Sequence, residues 1–302
     1  MTGMDWIAVD WGTSTLRAWG MSADGTVLWS EDSDTGMGGL APEQFEPALL
    51  DLIGPHTSAD TAIDVIACGM VGARQGWVEA AYTPVPCEPL GAGLTLAPTR
   101  DPRLTFRIIG GLSQAEPADV MRGEETQIAG FQALNPQFDG VVCLPGTHTK
   151  WCHVSAGEVV SFQTCMTGDI FAALSANTIL RHSVTGEGWD DDAFAAAVGD
   201  AVSRPEKLAA RLFSLRAQGL LDGLEPGTAR ASLSGQLIGS ELAATRPYWL
   251  GQAIAIVGAG KLCQLYATAL ETLGASATIA DGDGMSLKGL AAARTKLAKA
   301  TS

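Results

Sequence analysis

Charged residues are scarce in this sequence, and no apolar stretch reaches the length of a membrane-spanning helix. Asp, Glu, Lys and Arg make up 17% of the 302 residues, and the formal net charge is −14. This acidic balance disfavours a general surface for nucleic acid or for an anionic membrane, because like charges repel. No basic region precedes the strand-like run at Trp6, so we expect no targeting segment and a cytoplasmic protein.

Cysteine pairs of the Cys-x-x-Cys type are absent, although the sequence has six cysteines. Several of the six lie in apolar, strand-like runs, which indicates small buried side chains in a reducing compartment. A zinc site could in principle combine Cys143, His148, Cys152 and His153. Alternation along a strand would divide these residues between two faces, and the sequence therefore disfavours zinc.

Apolar residues, by contrast, make up 46% of the sequence, which is enough for the cores of two domains. Their spacing predicts strands over 6–11, 15–21, 26–31 and 63–68, and helices over 43–53, 123–134, 168–180 and 190–221. The turn cluster Asn135–Gly140 suggests one domain of residues 1–136 and another of residues 137–302. Both halves open with strand, loop and strand, so we predict an α/β fold of two related domains facing a cleft.

Two loops of similar composition, one in each half, follow apolar strands. The first contains Gly12, Thr13 and Ser14, and the second contains Gly146, Thr147, His148 and Thr149. Glycine lets backbone N–H groups approach phosphate oxygens, and the hydroxyl groups add donors. One such loop alone is typical of an ordinary hairpin. Two of them predict a duplicated architecture that binds one polyphosphate from both sides.

Three carboxylates are the candidate catalytic residues. Asp10 ends an apolar strand beside the first loop, where it either caps the turn or, as we favour, takes a magnesium-associated role. Glu124 and Glu125 precede an amphipathic stretch, and acidic residues are common in the first turn of a helix. The functional interpretation is that one of the two is a general base or helps to hold the metal.

Other motifs supply candidate ligands, each with a plainer structural alternative. A glycine-rich loop after the strand at 63–68 is either a ligand loop or a surface loop with a packed tryptophan. Lys150 either contacts an anion or is solvated, and the start of the predicted helix at 168 either contacts substrate or only caps the helix. The candidate substrate ligands are Arg74, Trp77, Lys150, Thr167, Gly168 and Asp169.

A third glycine turn, Gly258-Ala259-Gly260, follows a predicted strand late in the chain. It lacks the last glycine of the dinucleotide fingerprint G-x-G-x-x-G, and the spacing of a Walker A loop is also absent. A turn that lies against an adenine or a ribose fits the two-loop interpretation better.

Taken together and in order, these motifs resemble the 2-dehydro-3-deoxygalactonokinase family of the sugar-kinase/hsp70/actin superfamily. The most distinctive are Arg122-Gly123-Glu124-Glu125-Thr126-Gln127 and Pro145-Gly146-Thr147-His148. The matching segments further include Asp10–Ser14, Gly69–Gly72, Met166–Gly168 and Leu233–Gly235. The sequence departs from the superfamily in lacking an Asp at the start of the second loop, and from the family in having Asp169 where Glu is usual.

The resemblance implies two ribonuclease-H-like domains of the actin-like ATPase type, which flank a nucleotide and substrate cleft. It implies phosphorylation of 2-dehydro-3-deoxy-D-galactonate at its 6-hydroxyl in galactonate catabolism, with ATP and Mg²⁺. By the same resemblance, residues 10–14 and 146–149 are the phosphate loops, residues 258–260 are the adenosine region, and Glu124 and Glu125 lie where the superfamily joins its domains and often places its catalytic acid. The alternatives are a kinase for another sugar or sugar acid and a noncatalytic sugar-responsive protein. A homo-oligomer is compatible with the sequence.

Overall fold

A computed structural model describes residues 3–91 and 93–300 and divides them into two units. The first unit contains the chain up to Phe138, the short stretch Ser155–Ser161 and the residues from Asp281 on. The second contains Asp139–Val154 and Phe162–Ala280. The domain boundary after residue 136 stays a prediction, although by packing the last helix lies in the first unit. Within the described residues, no helix is long and apolar enough to span a membrane.

The helices and strands alternate along the chain. The strands are β1 (Trp6–Trp11), β2 (Leu16–Met21), β3 (Val27–Ser33), β4 (Ile63–Cys68), β5 (Tyr82–Pro84), β6 (Leu94–Leu96), β7 (Leu104–Ile109), β8 (Gly111–Gln114), β9 (Asp119–Met121), β10 (Gly140–Leu144), β11 (Thr149–Ser155), β12 (Glu158–Cys165), β13 (Ile254–Gly258) and β14 (Ala277–Asp281). The helices are α1 (Phe45–Ile53), α2 (Glu124–Leu134), α3 (Thr167–Asn177), α4 (Arg181–Val184), α5 (Asp191–Ser203), α6 (Leu208–Leu221), α7 (Pro226–Ala244), α8 (Arg246–Trp249), α9 (Gly260–Thr272) and α10 (Gly282–Ala300).

The main sheet of the first unit has the strand order β3-β2-β1-β4-β7-β6. β1 pairs antiparallel with β2 and parallel with β4, so it is a central strand. Both of its faces are also covered, each by a different cluster of apolar side chains. Its side chains alternate accordingly, as expected for a period of two. Ile7 and Val9 pack in the cluster that contains Phe45 of α1, whereas Trp6 packs in the cluster that contains Leu290 of α10.

The second unit repeats this arrangement. Its sheet has the order β12-β11-β10-β13-β14, with β10 antiparallel to β11 and parallel to β13. The central strand, its hairpin partner and its parallel neighbour therefore correspond to β1, β2 and β4. In both units the loop between the first two strands is one of the two predicted phosphate loops.

Helices α2 and α10 pack unusually closely in the first unit because glycines lie at their contact. A Cβ placed at Gly130 would lie 1.9 Å from the carbonyl oxygen of Met285, and one at Gly289 would lie 1.9 Å from that of Thr126. Any larger residue would separate the two helices. The Gln127 amide in the first turns of α2 donates to the Gly282 carbonyl at 3.4 Å and to the Ser286 hydroxyl at 3.3 Å, so the start of α10 lies near the start of α2, where the candidate acidic residues lie.

Candidate active site

The first loop is a tight turn supported from one side by a second glycine segment. Gly12 N–H donates to the carbonyl of Thr15 at 2.9 Å, and Gly38 N–H donates to the carbonyl of Thr13 at 2.9 Å. A Cβ at Gly36 would lie only 2.3 Å from the Thr13 carbonyl oxygen, so the supporting segment requires glycine there. The side chains of Thr13 and Ser14 remain exposed. The turn is thus well supported, and its two hydroxyl side chains are accessible.

Asp10 forms an ion pair with the residue opposite it on β2. Asp10 and Arg17 are partners in the register of β1 and β2, and Arg17 Nη2 lies 2.9 Å from Asp10 Oδ2. Arg17 also pairs with Asp283 in the first turn of α10. Burial raises the pKa of Asp10, while Arg17 and a hydrogen bond from Ser286 oppose that rise. The sequence predicts a role at this site for Asp10 but not for Arg17, Asp283 or Ser286.

Glu124 and Glu125 begin α2 and differ sharply in their surroundings. Glu125 is completely buried; Gly123 N–H donates to its Oε2 at 2.7 Å and the Thr126 hydroxyl to its Oε1 at 3.0 Å. Burial, and then the charge of Glu124, raise the pKa of Glu125 to about 7. Glu124 is only partly buried, and its Oε2 accepts a hydrogen bond from Arg122 N–H at 3.0 Å.

The structure brings Asp10 and the acidic pair to one edge of the first sheet. Asp10 is the register partner of Cys68, the last residue of β4. Burial first, and then the charges of Asp10 and Glu125, hold the pKa of the Cys68 thiol well above its usual range. A Cβ on Gly69, the residue after Cys68, would lie 3.3 Å from Asp10 Oδ1, and one on Gly123, just before the acidic pair, would lie 3.3 Å from the Gly69 Cα. The turn before the acidic pair therefore meets Asp10 at the carboxyl ends of β1 and β4, where α/β folds bind ligands.

The two candidates from the loop after β4 lie elsewhere. The Arg74 side chain is 79% exposed, with Nε 3.4 Å from Glu79 Oε1. Trp77 packs in the core against Phe106, at 4.6 Å between ring centroids, and donates its indole N–H to the carbonyl of Pro98 at 3.1 Å. The geometry fits the plainer interpretation of a surface loop with a packed tryptophan. A ligand role for either residue stays a prediction.

The second loop is held by buried groups on its inner side. Thr149 is completely buried, and Gly146 N–H donates to its hydroxyl oxygen at 3.4 Å. Lys150 is also buried, and its Nζ donates to the carbonyl of His148 at 3.1 Å. The Thr149 hydroxyl therefore supports the loop from within, and Lys150 is not the solvated strand residue that the sequence allowed.

The start of α3 packs directly on this second loop. Asp169 N–H donates to the carbonyl of Thr147 at 3.0 Å, and a Cβ at Gly168 would lie 2.4 Å from the carbonyl oxygen of Gly146. His148 Nε2 lies 3.5 Å from Asp169 Oδ2, and both side chains are about half exposed. Thr167, Gly168 and Asp169 therefore surround a phosphate loop, and their predicted role as substrate ligands stays a prediction.

A cavity of about 510 Å³ opens beside the second loop within the second unit. Gly146, Thr147, Thr167 and Gly168 form part of its wall. Much of the remaining wall is apolar, with Lys261 as one of its cations. The Lys261 ammonium lies 4.8 Å from the centre of the Trp189 ring, another part of the wall. A cavity of this size can hold a nucleoside, and its mixed wall suits a flat base with a charged tail.

The glycine turn at residues 258–260 connects β13 to α9, and α9 supplies Lys261 to the cavity wall. A Cβ at Gly258 would lie 2.8 Å from the Cys263 sulfur, so the strand end packs closely on the helix. Gly260 has a φ of +62°, a conformation that favours glycine. The turn is thus next to the cavity, as an adenosine region would require.

Comparison with known proteins identifies the family to which this chain belongs. A family model described as 2-keto-3-deoxy-galactonokinase matches residues 10–293. This chain belongs to that family. It is 42% identical over 298 residues to the "Probable 2-dehydro-3-deoxygalactonokinase DgoK1" of Rhizobium meliloti (strain 1021), covering 95% of each chain. It is 34% identical over 286 residues to the 2-dehydro-3-deoxygalactonokinase of Escherichia coli (strain K12), covering 92% of this chain and 93% of that one.

Solved structures agree. A crystal structure of a candidate 2-dehydro-3-deoxygalactonokinase from Sinorhizobium meliloti superposes with a TM-score of 0.88 at 39% identity, covering 96% of each chain. The activator of 2-hydroxyisocaproyl-CoA dehydratase from Clostridium difficile has a TM-score of 0.51 at 10% identity over 97% of each chain, which concerns the fold alone. The predicted family, the actin-like α/β fold class and the class of enzyme, a carbohydrate kinase, are confirmed. The family implies ATP and a sugar acid as reactants.

Proposed function

We propose that this member of the 2-dehydro-3-deoxygalactonokinase family transfers the γ-phosphoryl group of ATP to the 6-hydroxyl of 2-dehydro-3-deoxy-D-galactonate. The products are ADP and 2-dehydro-3-deoxy-6-phosphogalactonate, in galactonate catabolism. The family match over residues 10–293 and the names of the relatives support the reaction. The observation that carries the chemistry is the acidic pair at the start of α2, which shares a sheet edge with Asp10.

In this proposal the cavity of the second unit holds the nucleoside. The base lies between the apolar wall and Lys261, near the turn at 258–260. The phosphates then extend along Gly146 to Thr147 and His148, whose backbone N–H groups can donate to them. Little covalent chemistry is required of the protein in phosphoryl transfer, so the role of these groups is to bind and orient the phosphates.

Glu124 is the group that we assign to the 6-hydroxyl. A general base must reach the proton that it accepts, and Glu124 is partly exposed, whereas Glu125 is completely buried. A pKa of about 7 would suit Glu125 for the same task. Access decides between the two, because both Glu125 oxygens already accept protein hydrogen bonds. Glu125 is then a positioning residue that holds the turn before Glu124.

Asp10 and Asp283 are the carboxylates that we propose for Mg²⁺. The described residues contain no group of three or more His, Cys, Asp or Glu side chains able to hold a metal ion. Mg²⁺ does not need such a group, because it commonly binds one or two carboxylates together with phosphate oxygens and water. The pair that shares Arg17 fits this oxygen chemistry. When bound, the ion would neutralise phosphate charge.

The test is ADP release by the purified chain with a panel of acceptors. The panel holds 2-dehydro-3-deoxygalactonate, its gluconate epimer and unrelated sugars, and NMR assigns the phosphorylated position. We expect ADP release that depends on Mg²⁺ and is fastest with the galactonate-derived acid, with the phosphate on carbon 6. A faster rate with another acceptor supports the alternative of a different kinase on the same fold. Folded protein that releases no ADP with any acid supports the noncatalytic alternative.

A further inference from the structure

Glu241, on α7, is a buried carboxylate with no part in the mechanism above. It is 5% exposed and accepts three hydrogen bonds. Trp151 Nε1 donates to its Oε1 at 2.7 Å, and the Tyr266 hydroxyl donates to its Oε2 at 2.9 Å. The Thr167 hydroxyl also donates to Oε2. These donors come from β11, α9 and the first residue of α3, so a single carboxylate connects three elements.

Two of the three donors border the proposed nucleotide site. Tyr266 and Thr167 both form part of the wall of the 510 Å³ cavity. Tyr266 also reaches the second loop, because its hydroxyl oxygen lies 2.9 Å from the Thr149 hydroxyl oxygen. A continuous hydrogen-bonded chain thus runs from Glu241 through Tyr266 and Thr149 to the N–H of Gly146.

The direction of each hydrogen bond in this chain follows from the carboxylate. An ionised carboxylate can only accept, so the single hydroxyl proton of Tyr266 is directed to Glu241. Tyr266 must then accept from Thr149, whose own oxygen is left to accept from Gly146 N–H. Burial raises the pKa of Glu241, and the hydrogen bonds from Thr167, Trp151 and Tyr266 oppose that rise and favour the ionised form.

We propose that Glu241 is a positioning residue for the nucleotide phosphates, and this inference rests on the proposed function. Through Tyr266 and Thr149 it sets the inner side of the second loop. Through Thr167 it holds the start of α3 against that loop. An uncharged core would fill the same space without the desolvation cost of a buried charge, so the carboxylate is better explained by the groups that it orients.

The test compares Glu241→Gln and Tyr266→Phe with the wild type. Gln has nearly the same shape, but its NH₂ group must face a former donor and so reverses at least one hydrogen bond. Phe keeps the ring in the cavity wall and removes the hydroxyl that links Glu241 to Thr149. Glu271→Gln is the matched control, because it removes the same charge from an exposed position on α9. The measurements are the ADP dissociation constant by calorimetry, KM for ATP, KM for the sugar acid, and Tm.

For Glu241→Gln we expect the ADP dissociation constant and KM for ATP to rise about tenfold, the scale of one lost hydrogen bond to a charged group. KM for the sugar acid should stay within roughly twofold of wild type, and Tyr266→Phe should shift the nucleotide constants in the same direction by less. A lower Tm with unchanged nucleotide constants would make Glu241 merely structural and overturn the proposal.

Two outcomes separate this inference from the proposed reaction. If the wild type binds ADP but does not phosphorylate the acid, the proposed reaction is wrong. The ADP dissociation constants of the wild type and the variants still test the role of Glu241 in that case. If Glu241→Gln does not fold, Tyr266→Phe decides, and a folded Phe variant with wild-type ADP affinity overturns the inference.

Discussion

Glu125 accepts a hydrogen bond from the backbone N–H of Gly123, at 2.7 Å between N and Oε2. The contact is made while Gly123 has a φ of +105°, a conformation that other residues rarely adopt. The buried carboxylate is therefore tied to the turn that presents Glu124. This relationship assigns different tasks to two neighbouring acids, and different variants should reveal each task.

Glu124→Gln should lower turnover by roughly two orders of magnitude, because a positioned general base contributes on that scale. Its affinity for ATP should stay near the wild-type value, since the lost interaction belongs to the transition state. Single-turnover rates and an ATP titration check both parts. If the variant keeps the wild-type rate, Glu124 is only a helix-start residue.

Glu125→Gln should change the pH dependence of stability. Glu125 keeps its proton up to about pH 7 in the folded protein, against an ordinary pKa of 4.5. The folded state binds more protons between these values, so wild-type stability falls as pH rises through this window, and the loss is complete above it. The Gln variant lacks this titration. Between about pH 5 and about pH 8, its free energy of unfolding should therefore rise relative to that of the wild type by on the order of 2–3 kcal/mol.

Denaturant unfolding of both proteins across that range measures the difference. If the unfolding free energies of the wild type and Glu125→Gln change with pH in the same way, the raised pKa of Glu125 is contradicted. Turnover of the Gln variant should fall less than that of Glu124→Gln, because its contact with the reaction is indirect.

Asp10→Asn should reduce turnover by roughly 100-fold or more, because a carboxylate beside the transferred phosphoryl group loses its charge. Asp283→Asn is the informative comparison, since Asp283 shares Arg17 with Asp10 but is 53% exposed. Its effect should be smaller and should appear mainly as a higher Mg²⁺ requirement. Rates measured against Mg²⁺ concentration test this. Near-normal turnover with unchanged Mg²⁺ dependence in Asp10→Asn would return Asp10 to the role of a turn residue.

Gly168→Ala should weaken ATP binding without touching the acidic pair. The new Cβ would lie 2.4 Å from the Gly146 carbonyl oxygen, so the second loop or α3 must move, at a cost of roughly 1–3 kcal/mol. Gly199→Ala on α5 is the control, because a Cβ there meets no atom within 4 Å. KM for ATP should rise in the first variant only. Equal KM values for both variants would show that the loop tolerates the displacement.

Much of the fold could be predicted from local patterns. The strands at 6–11 and 63–68 match β1 and β4 because each is a short apolar run bounded by turn residues. α7 gave no such signal, since it is buried on most sides and interrupted by residues such as Ser234, Gly235 and Gly239. The helix predicted over 168–180 also ends early, at Asn177, and α4 follows at Arg181.

The site could be predicted less well, because its partners are brought together by tertiary packing. Arg17 had a usable signal, since a tight hairpin places it opposite Asp10. Asp283 and Ser286 had none, because no local rule connects residues near the start of a chain with residues far along it. Glu241 likewise belongs to no motif, and only its burial reveals it.

The packing of α10 on the first unit has a consequence for how the protein is made. The residues that contact Arg17 and Gln127 from this helix are synthesised after the whole second unit. A ribosome-bound chain that stops near residue 138 therefore lacks the helix that covers one face of β1. A fragment that ends at this position should therefore expose that face of β1 to solvent. A gene for the first unit with this helix in place would have to be circularly permuted, with residues 281–300 joined ahead of residue 3, and of the unit's described residues its product would lack only the short stretch Ser155–Ser161.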